Sequence, residues 1–254
     1  MSALLVCSKS TREFLPKYDR VRMVSSAPTK DILSEVSEEE DVVAIGGGAV
    51  IDTAKIISKN SIHCYPTTAA GSSATSWSVY WDGSKKCSLK RMIPYQISFI
   101  PEFIKNLPHE IVVETTYDVV SHCLDSLYSK NSTKKSISHC NYALEFLRNK
   151  KDNLDLIQAG HIAGKAIEIT GTNLLHSLSY PLTGHYGIPH GVALGYFLLK
   201  ISKFMNYDVS DIIEDFNYDL DVDIDFVIDE ALTYDKIHDT NKVINKKMLK
   251  GILK

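Results

Sequence analysis

The chain has 254 residues, 44% hydrophobic and 23% charged, with a formal net charge of −3, enough to bury a substantial core in one large or two modest domains. That balance offers no basic field to recruit phosphates, which argues against a bulk nucleic-acid binder. No stretch nears the roughly 18 apolar residues of a spanning helix, so no membrane partner is expected. The five dispersed cysteines (Cys7, Cys64, Cys87, Cys123, Cys140) form no CxxC pair, and the start MSALLVCSKSTREF lacks a signal peptide's basic start and long apolar run. The expectation is a cytoplasmic protein without disulfides.

In chain order, SALLVCS reads as a strand, TREFLPKY as a short helical or loop segment, and VRMVSS as a second strand. TKDILSEV follows as a helix capped by Thr29. DVVAIGG is a strand running directly into the helix AVIDTAKIIS, and IHCYPTT is another strand. This β-α-β-α-β order predicts an α/β unit with a mostly parallel sheet covered by helices. From about residue 109 the pattern changes. EIVVETTYDVVSHCLDSLYS, SISHCNYALEFLRN, LDLIQAGHIAGKAIEIT and HGVALGYFLLKISKFM carry apolar residues at helical spacing. Pro108 in NLPHE is the natural boundary, giving an α/β domain over 1–108 and an all-α domain over 109–254. The acidic stretch DFNYDLDVDIDFVIDEALTYDKIHD is expected to be peripheral to the helical half.

Two loops carry ligand chemistry. VVAIGGGAVIDTAK sets Gly46, Gly47 and Gly48 between a buried strand and a helix start. There a backbone without side chains approaches a ligand closely, and free N–H groups attract phosphate oxygens. The next strand ends in YPTTAAGSSATS, where Thr67, Thr68, Ser72 and Ser73 are potential donors to phosphate or ribose. Either loop alone is as readily a plain turn. Two of them at the ends of successive strands favour a nucleotide crevice.

Four residues then read together as a metal site. Asp118 and His122, four apart in TTYDVVSHCLDS, share one helix face. His176 and His190 bracket HSLSYPLTGHYGIPH. One carboxylate and three imidazoles suit a divalent cation such as Fe²⁺ or Zn²⁺. Each residue alone would mean little; their joint occurrence carries the reading. His109, His139, His161 and His238 have no such pattern and are assigned structural or surface roles, while Asp52 and Lys55 are expected to pair or to support the glycine turn.

These segments resemble the iron-containing (group III) alcohol dehydrogenase family. GGGAVIDTAK is similar to its GGGSxxDxAK signature, and PTTAAGSSATS to its PTTAGTGSEVT loop with one residue missing. TYDVVSHCLDS and HSLSYPLTGHYGIPHG match the segments that supply an aspartate and three histidines to the metal. The resemblance runs from about residue 40 to 200 with the motifs in order. It implies the iron-alcohol-dehydrogenase or dehydroquinate synthase-like architecture. It also implies NAD or NADP held by Gly46, Gly47, Gly48, Ala49, Asp52, Thr67, Thr68, Ser72 and Lys86, and one divalent metal on Asp118, His122, His176 and His190, Fe²⁺ ahead of Zn²⁺.

WSVYWDGSKKCSL and NLLHSLSYPLTGHYGIPHG are most similar to the phosphonoacetaldehyde reductase branch. The implied activity is metal-dependent NAD(P)H-linked reduction of a small aldehyde to an alcohol, phosphonoacetaldehyde to 2-hydroxyethylphosphonate being the foremost candidate, with a homodimer as the expected assembly. Tyr180 stands where many members have a histidine; it and His185 are the candidate proton relays. Lys85, Lys86, Lys90 and Arg91 are the nearest cations by sequence for a phosphonate. The chain is shorter than the family's usual length. Ser73 stands where the family often has Glu, Ile100 replaces a common aspartate, and Ser25 and Ser26 stand where an acid often holds the ribose, which admits NADP. Three alternatives remain: an iron-type alcohol dehydrogenase on another aldehyde, a sugar-phosphate cyclase of the dehydroquinate synthase type, or a reduced non-catalytic paralogue.

Overall fold

A computed structural model describes residues 3–12, 18–36 and 41–253. The first strand, β1 (Leu4–Cys7), is followed by one turn of helix, α1 (Lys9–Arg12), and by β2 (Arg20–Met23). Most of the expected TREFLPKY segment, residues 13–17, lies outside the described residues. TKDILSEV forms a 3₁₀ helix over Lys30–Glu35 rather than an α-helix, and Thr29 makes no side-chain cap. Thr29 is instead extended and bridges Trp81, so its backbone serves a neighbouring strand.

Then come β3 (Val42–Gly46), α2 (Gly48–Ile57) and β4 (His63–Pro66). A hairpin follows, β5 (Trp77–Asp82) and β6 (Lys85–Lys90), turning on Gly83, whose φ is 61°. The expected elements did not include this hairpin, although Asp82-Gly83 between β-rich runs is its signal. β7 (Gln96–Ile97) completes a five-stranded sheet of order β2-β1-β3-β4-β7, parallel at every pairing. Both faces are covered, as a parallel sheet requires. Val6, Ala44 and Cys64 pack on one side with Val50, Ile51 and Ile56 of α2, and Leu5, Cys7 and Ile45 pack on the other. The strand order reverses at β1, so the crevice outside its carboxyl end and that of β3 is where a ligand of such a sheet sits.

After the short α3 (Pro101–Ile104), the chain is helical: α4 (His109–Leu127), α5 (Lys134–Arg148), α6 (Asn153–Thr170), α7 (Leu174–Tyr186), α8 (His190–Met205), α9 (Ile224–Ala231) and α10 (Lys246–Leu253). These helices enclose the larger core, with Val119, Val120, Leu144, Leu156, Leu178 and Phe197 fully buried; each such side chain contributes about 1.5–3 kcal/mol by leaving water. The acidic stretch is only partly peripheral. Val227, Ile228 and Ala231 of α9 and Ile237 belong to that core, because apolar residues of the stretch recur at helical spacing and pack on α7. All five cysteines are free, and among the described residues no helix is long and apolar enough to cross a membrane.

Candidate active site: a metal cluster facing a glycine turn

The helix α4 turns Asp118 and His122 inward one turn apart, with His122 Nε2 3.4 Å from Asp118 Oδ1. His176, in the first turn of α7, brings its Nε2 to 3.4 Å from the same oxygen, and His190, which opens α8 after Pro189, brings its own to 4.0 Å. The ligand atoms of Asp118, His176 and His190 all lie within 4.8 Å of one another. His122 stacks on His176, ring centroids 4.6 Å apart, and stands beside this group of three rather than within it. Asp118, His122 and His176 are buried and His190 is half-buried.

The donor set fits a divalent cation. Asp118 Oδ1 and His176 Nε2 are buried without any hydrogen-bond partner. Orphaned polar atoms of this kind cost about 1–3 kcal/mol each unless another group satisfies them. A carboxylate oxygen and imidazole nitrogens converging on one point are what Fe²⁺ or Zn²⁺ ligation requires.

Asp125, which the sequence reading missed, sits seven residues beyond Asp118 on the same helix. It accepts from the backbone N–H groups of Asn173 (2.8 Å), Leu175 (2.9 Å) and His176 (3.3 Å), and from His176 Nδ1 (2.9 Å). It therefore caps α7 and holds the His176 ring so that Nε2 faces Asp118, the usual arrangement behind a ligating histidine. The signal lay in TYDVVSHCLDS itself, with Asp118, His122 and Asp125 at i, i+4 and i+7.

Electrostatics divide the cluster. Burial opposes protonation of His176, yet Asp118 and Asp125 override it and raise its pKa to about 9. Burial dominates at His122 and His190, lowering them to about 4 and about 3. Burial would raise the Asp118 carboxyl, but the surrounding imidazoles hold it well below the usual carboxylate range.

At the other end, Gly46 closes β3, Gly47 is the N-cap of α2 with no side-chain cap, and Gly48 and Ala49 open the helix. The second loop lies directly against this turn. A Cβ on Gly47 would meet Thr68 Oγ1 at 2.9 Å, and one on Gly48 would meet the Ala70 methyl at 3.0 Å. Thr67 donates its backbone N–H to Gly46 at 3.0 Å and is buried. Asp52 does pair with Lys55, at 3.6 Å; burial pushes the carboxyl up and the ammonium down. The fully buried Lys55 also donates to the carbonyls of Ser72 (3.0 Å), Thr75 (3.3 Å) and Trp77.

The helical half grips this loop from the opposite side. Ser76 gives its N–H and hydroxyl to the Glu168 carboxylate at 2.9 and 2.8 Å, and Ser73 Oγ lies 3.1 Å from His161 Nδ1. A Cβ on Gly160 would fall 2.1 Å from the Ala69 carbonyl oxygen, so helix and loop touch backbone to backbone. Spacing alone assigned His161 no partner, because its partner lies 88 residues away.

A cavity of about 420 Å³ joins the two ends, lined by Gly48, Ala49, Asp52 and Ser72 at one side and by Asp118, His122, His176 and His190 at the other. Its wall is one face of the hairpin, since Trp77, Val79, Trp81, Lys86 and Ser88 all line it and strand residues two apart share a face. Lys86 donates to the Tyr180 hydroxyl at 2.8 Å, and Thr172 Oγ1 is 3.2 Å from the same oxygen. Tyr180 itself is buried behind these two residues. Burial would raise its pKa, but Lys86 and His176 bring it below the usual phenol range.

His185 is placed elsewhere, 3.5 Å from Glu230 and edge-on to Phe226. Of the four cations near the hairpin only Lys86 lines the cavity: Lys90 sits over Trp77 and Arg91 reaches the Ile56 carbonyl. A second, polar hollow at the end of β2 shares Ala27 and Pro28 with the first and is lined by Arg22, Ser25, Ser26, Asp31 and Glu35. Two carboxylates thus stand beside Ser25 and Ser26, supplied by the following 3₁₀ helix; Glu35 is paired with Arg22 at 2.7 Å.

The profile of the Fe-containing alcohol dehydrogenase family, C-terminal region, matches residues 112–248, and the chain belongs to that family. It is 28% identical over 212 residues to a 4-hydroxybutyrate dehydrogenase of Clostridium kluyveri, covering 68% of this chain and 57% of that protein. It is also 28% identical over 206 residues to a phosphonoacetaldehyde reductase of Streptomyces viridochromogenes, covering 64% and 52%. The chain therefore spans between half and three-fifths of these curated relatives. Its fold matches that of a sulfoacetaldehyde reductase from Bifidobacterium kashiwanohense solved with NAD⁺, at a TM-score of 0.82 and 19% identity, over 99% of this chain and 90% of that one.

Proposed function

We propose that this protein reduces a small aldehyde to an alcohol with NAD(P)H at a divalent metal, Fe²⁺ ahead of Zn²⁺. The observation that carries this reading is the pair of buried, unpartnered atoms, Asp118 Oδ1 and His176 Nε2, in the wall of a cavity that also reaches the glycine turn of α2. Asp118, His122, His176 and His190 would hold the cation, and the turn at Gly46, Gly47, Gly48 and Ala49, with Thr68 and Ser72 beside it, would hold the dinucleotide. When bound, the cation supplies Lewis acidity to a carbonyl oxygen and the nicotinamide supplies the hydride.

The chain's own residues supply position and a proton. Asp125 fixes the His176 tautomer. Lys55 and Glu168 hold the second loop from opposite sides. The Tyr180 hydroxyl, polarised by the Lys86 ammonium, is the proton source; Thr172 Oγ1, which lines the cavity, passes that proton to the developing alkoxide. The carboxylate of Asp31 at the end of β2 weighs against a 2′-phosphate and favours NADH, Glu35 there being paired with Arg22. Phosphonoacetaldehyde is the foremost substrate. The relatives' names support an acid-bearing carbonyl compound, since 4-hydroxybutyrate, phosphonoacetaldehyde and sulfoacetaldehyde each carry an anionic group. A sugar-phosphate cyclase would need several phosphate-binding cations in the helical half, and among the described residues Lys236 is the one Lys or Arg that half brings to the cavity.

The test is metal content after purification without chelator, followed by NADH and NADPH absorbance with phosphonoacetaldehyde and a panel of neutral aldehydes. Close to one equivalent of Fe or Zn and oxidation of either nucleotide would support the reading. Less than about a tenth of an equivalent, or no oxidation with any aldehyde by metal-loaded protein, would overturn it.

A further inference from the structure

The cavity contains two ammonium groups that the sequence reading did not bring together. Lys86 comes from β6, on the inward face of the hairpin. Lys236 comes from the 3₁₀ turn Asp235–Asp239, in the stretch expected to be peripheral. One contact network docks that turn on the hairpin: Tyr234 packs edge-on against Tyr180 with centroids 5.1 Å apart, and its hydroxyl lies beside the backbone of Lys86. Two residues on, Lys236 Nζ stands 5.6 Å from the centre of the Trp77 ring. Trp77 also lines the cavity.

The charges are unbalanced on this wall. Lys86 spends one donor on Tyr180 and Lys236 has its aromatic contact, and neither makes an ion pair among the described residues. The carboxylates of the cavity are on α2 and α4: Asp52 is paired with Lys55 and also attracts Lys86, Asp118 is the focus of the imidazoles, and Glu114 is raised by burial beside Glu110. The wall around the two ammonium groups carries Trp77, Val79 and Trp81 with Ser88, and Lys236 reaches it from an exposed position; an anion there would take charge-assisted hydrogen bonds, which are stronger than neutral ones.

We infer that Lys86 and Lys236 form an anion subsite on the hairpin wall, and that Lys236 is a specificity-determining residue that selects carbonyl substrates bearing a second, anionic group. This rests on the reductase reading for the reacting end of the substrate. The subsite would take a phosphonate, sulfonate or carboxylate tail, and the carbonyl end would then reach the metal cluster across the same cavity.

The chain has two tryptophans, and both line this cavity, so their fluorescence reports the subsite without turnover. Metal-loaded, NAD⁺-saturated protein is titrated with methylphosphonate and with its uncharged dimethyl ester. The expected result is saturable quenching by the anion alone, a dissociation constant raised about tenfold or more in K236M, and one within about threefold of the parent in K236R. In parallel, K236M should lower the ratio of kcat/KM for phosphonoacetaldehyde over a neutral aldehyde of similar size by about tenfold. A dissociation constant and a ratio both within about twofold of the parent would overturn the subsite while leaving the reductase reading intact. Absence of turnover with every aldehyde would remove the reductase reading, and the fluorescence titration would still decide the subsite.

Discussion

The two ends of the cavity are built from opposite materials. The metal end consists of large, buried, ionisable side chains on three long helices, held by a carboxylate behind them. The nucleotide end consists of backbone and small side chains on two loops, held by Lys55 from α2 and by Glu168, His161 and Gly160 from α6. On the proposed function, the metal end would depend on which side chains are present, and the nucleotide end on which side chains are absent. Substitutions should therefore act differently at each end.

The largest effect is expected from Asp118→Ala, which removes the oxygen on which three imidazoles converge. Metal content should fall to background, and kcat/KM should drop by about a thousandfold or more, the loss of several kcal/mol of carbonyl polarisation. NADH binding measured by fluorescence should change little. Loss of NADH binding in parallel would break the distinction between the ends. Asp125→Asn keeps the shape but removes the charge behind His176; metal affinity should fall about 10- to 100-fold in a chelator competition.

Gly160→Ala probes the other end. Its methyl would fall 2.1 Å from the Ala69 carbonyl oxygen, so the loop must shift. Thermal unfolding should show a loss of about 1–3 kcal/mol, and NADH should bind several-fold more weakly while metal content is kept. The smallest effect concerns pH. Burial, aided by Lys165, lowers His161 to about 4 from a usual 6.5, so the folded state refuses a proton that the unfolded chain accepts. Stability should be unaffected by this group above pH 6.5 and should decline as pH falls from 6.5 toward 4. His161→Gln should flatten part of that decline in melting temperatures measured from pH 7 to 4.5, and an unchanged slope would mean that His161 is not held neutral.

Local spacing carried much of this. Asp118 and His122 sit on one helix turn, and the glycine run sits between a strand and a helix, so both patterns survive in the linear chain. The hairpin was equally local, with Asp82-Gly83 as its turn. Thr29 and the 3₁₀ helix were misread because a bridge to Trp81, 52 residues on, competes with a helix cap. His185 was, with Tyr180, a candidate relay, but its position on α7 turns it toward Glu230. Lys86, Tyr180 and Thr172 form a group whose members come from a hairpin, a helix and a loop.

By itself, the sequence determined the α/β-then-helical order, the Asp118–His122 pair on one helix face and the two small-residue loops, because each is written in contacts within about a dozen residues. Only the tertiary structure decided that Asp125 stands behind His176, that α6 grips the second loop, and that an apparently peripheral acidic stretch delivers Lys236 to the cavity wall. Those contacts join residues about 50 to 150 positions apart, and the packing of the helical core on the sheet sets them, with no periodicity along the chain to announce them.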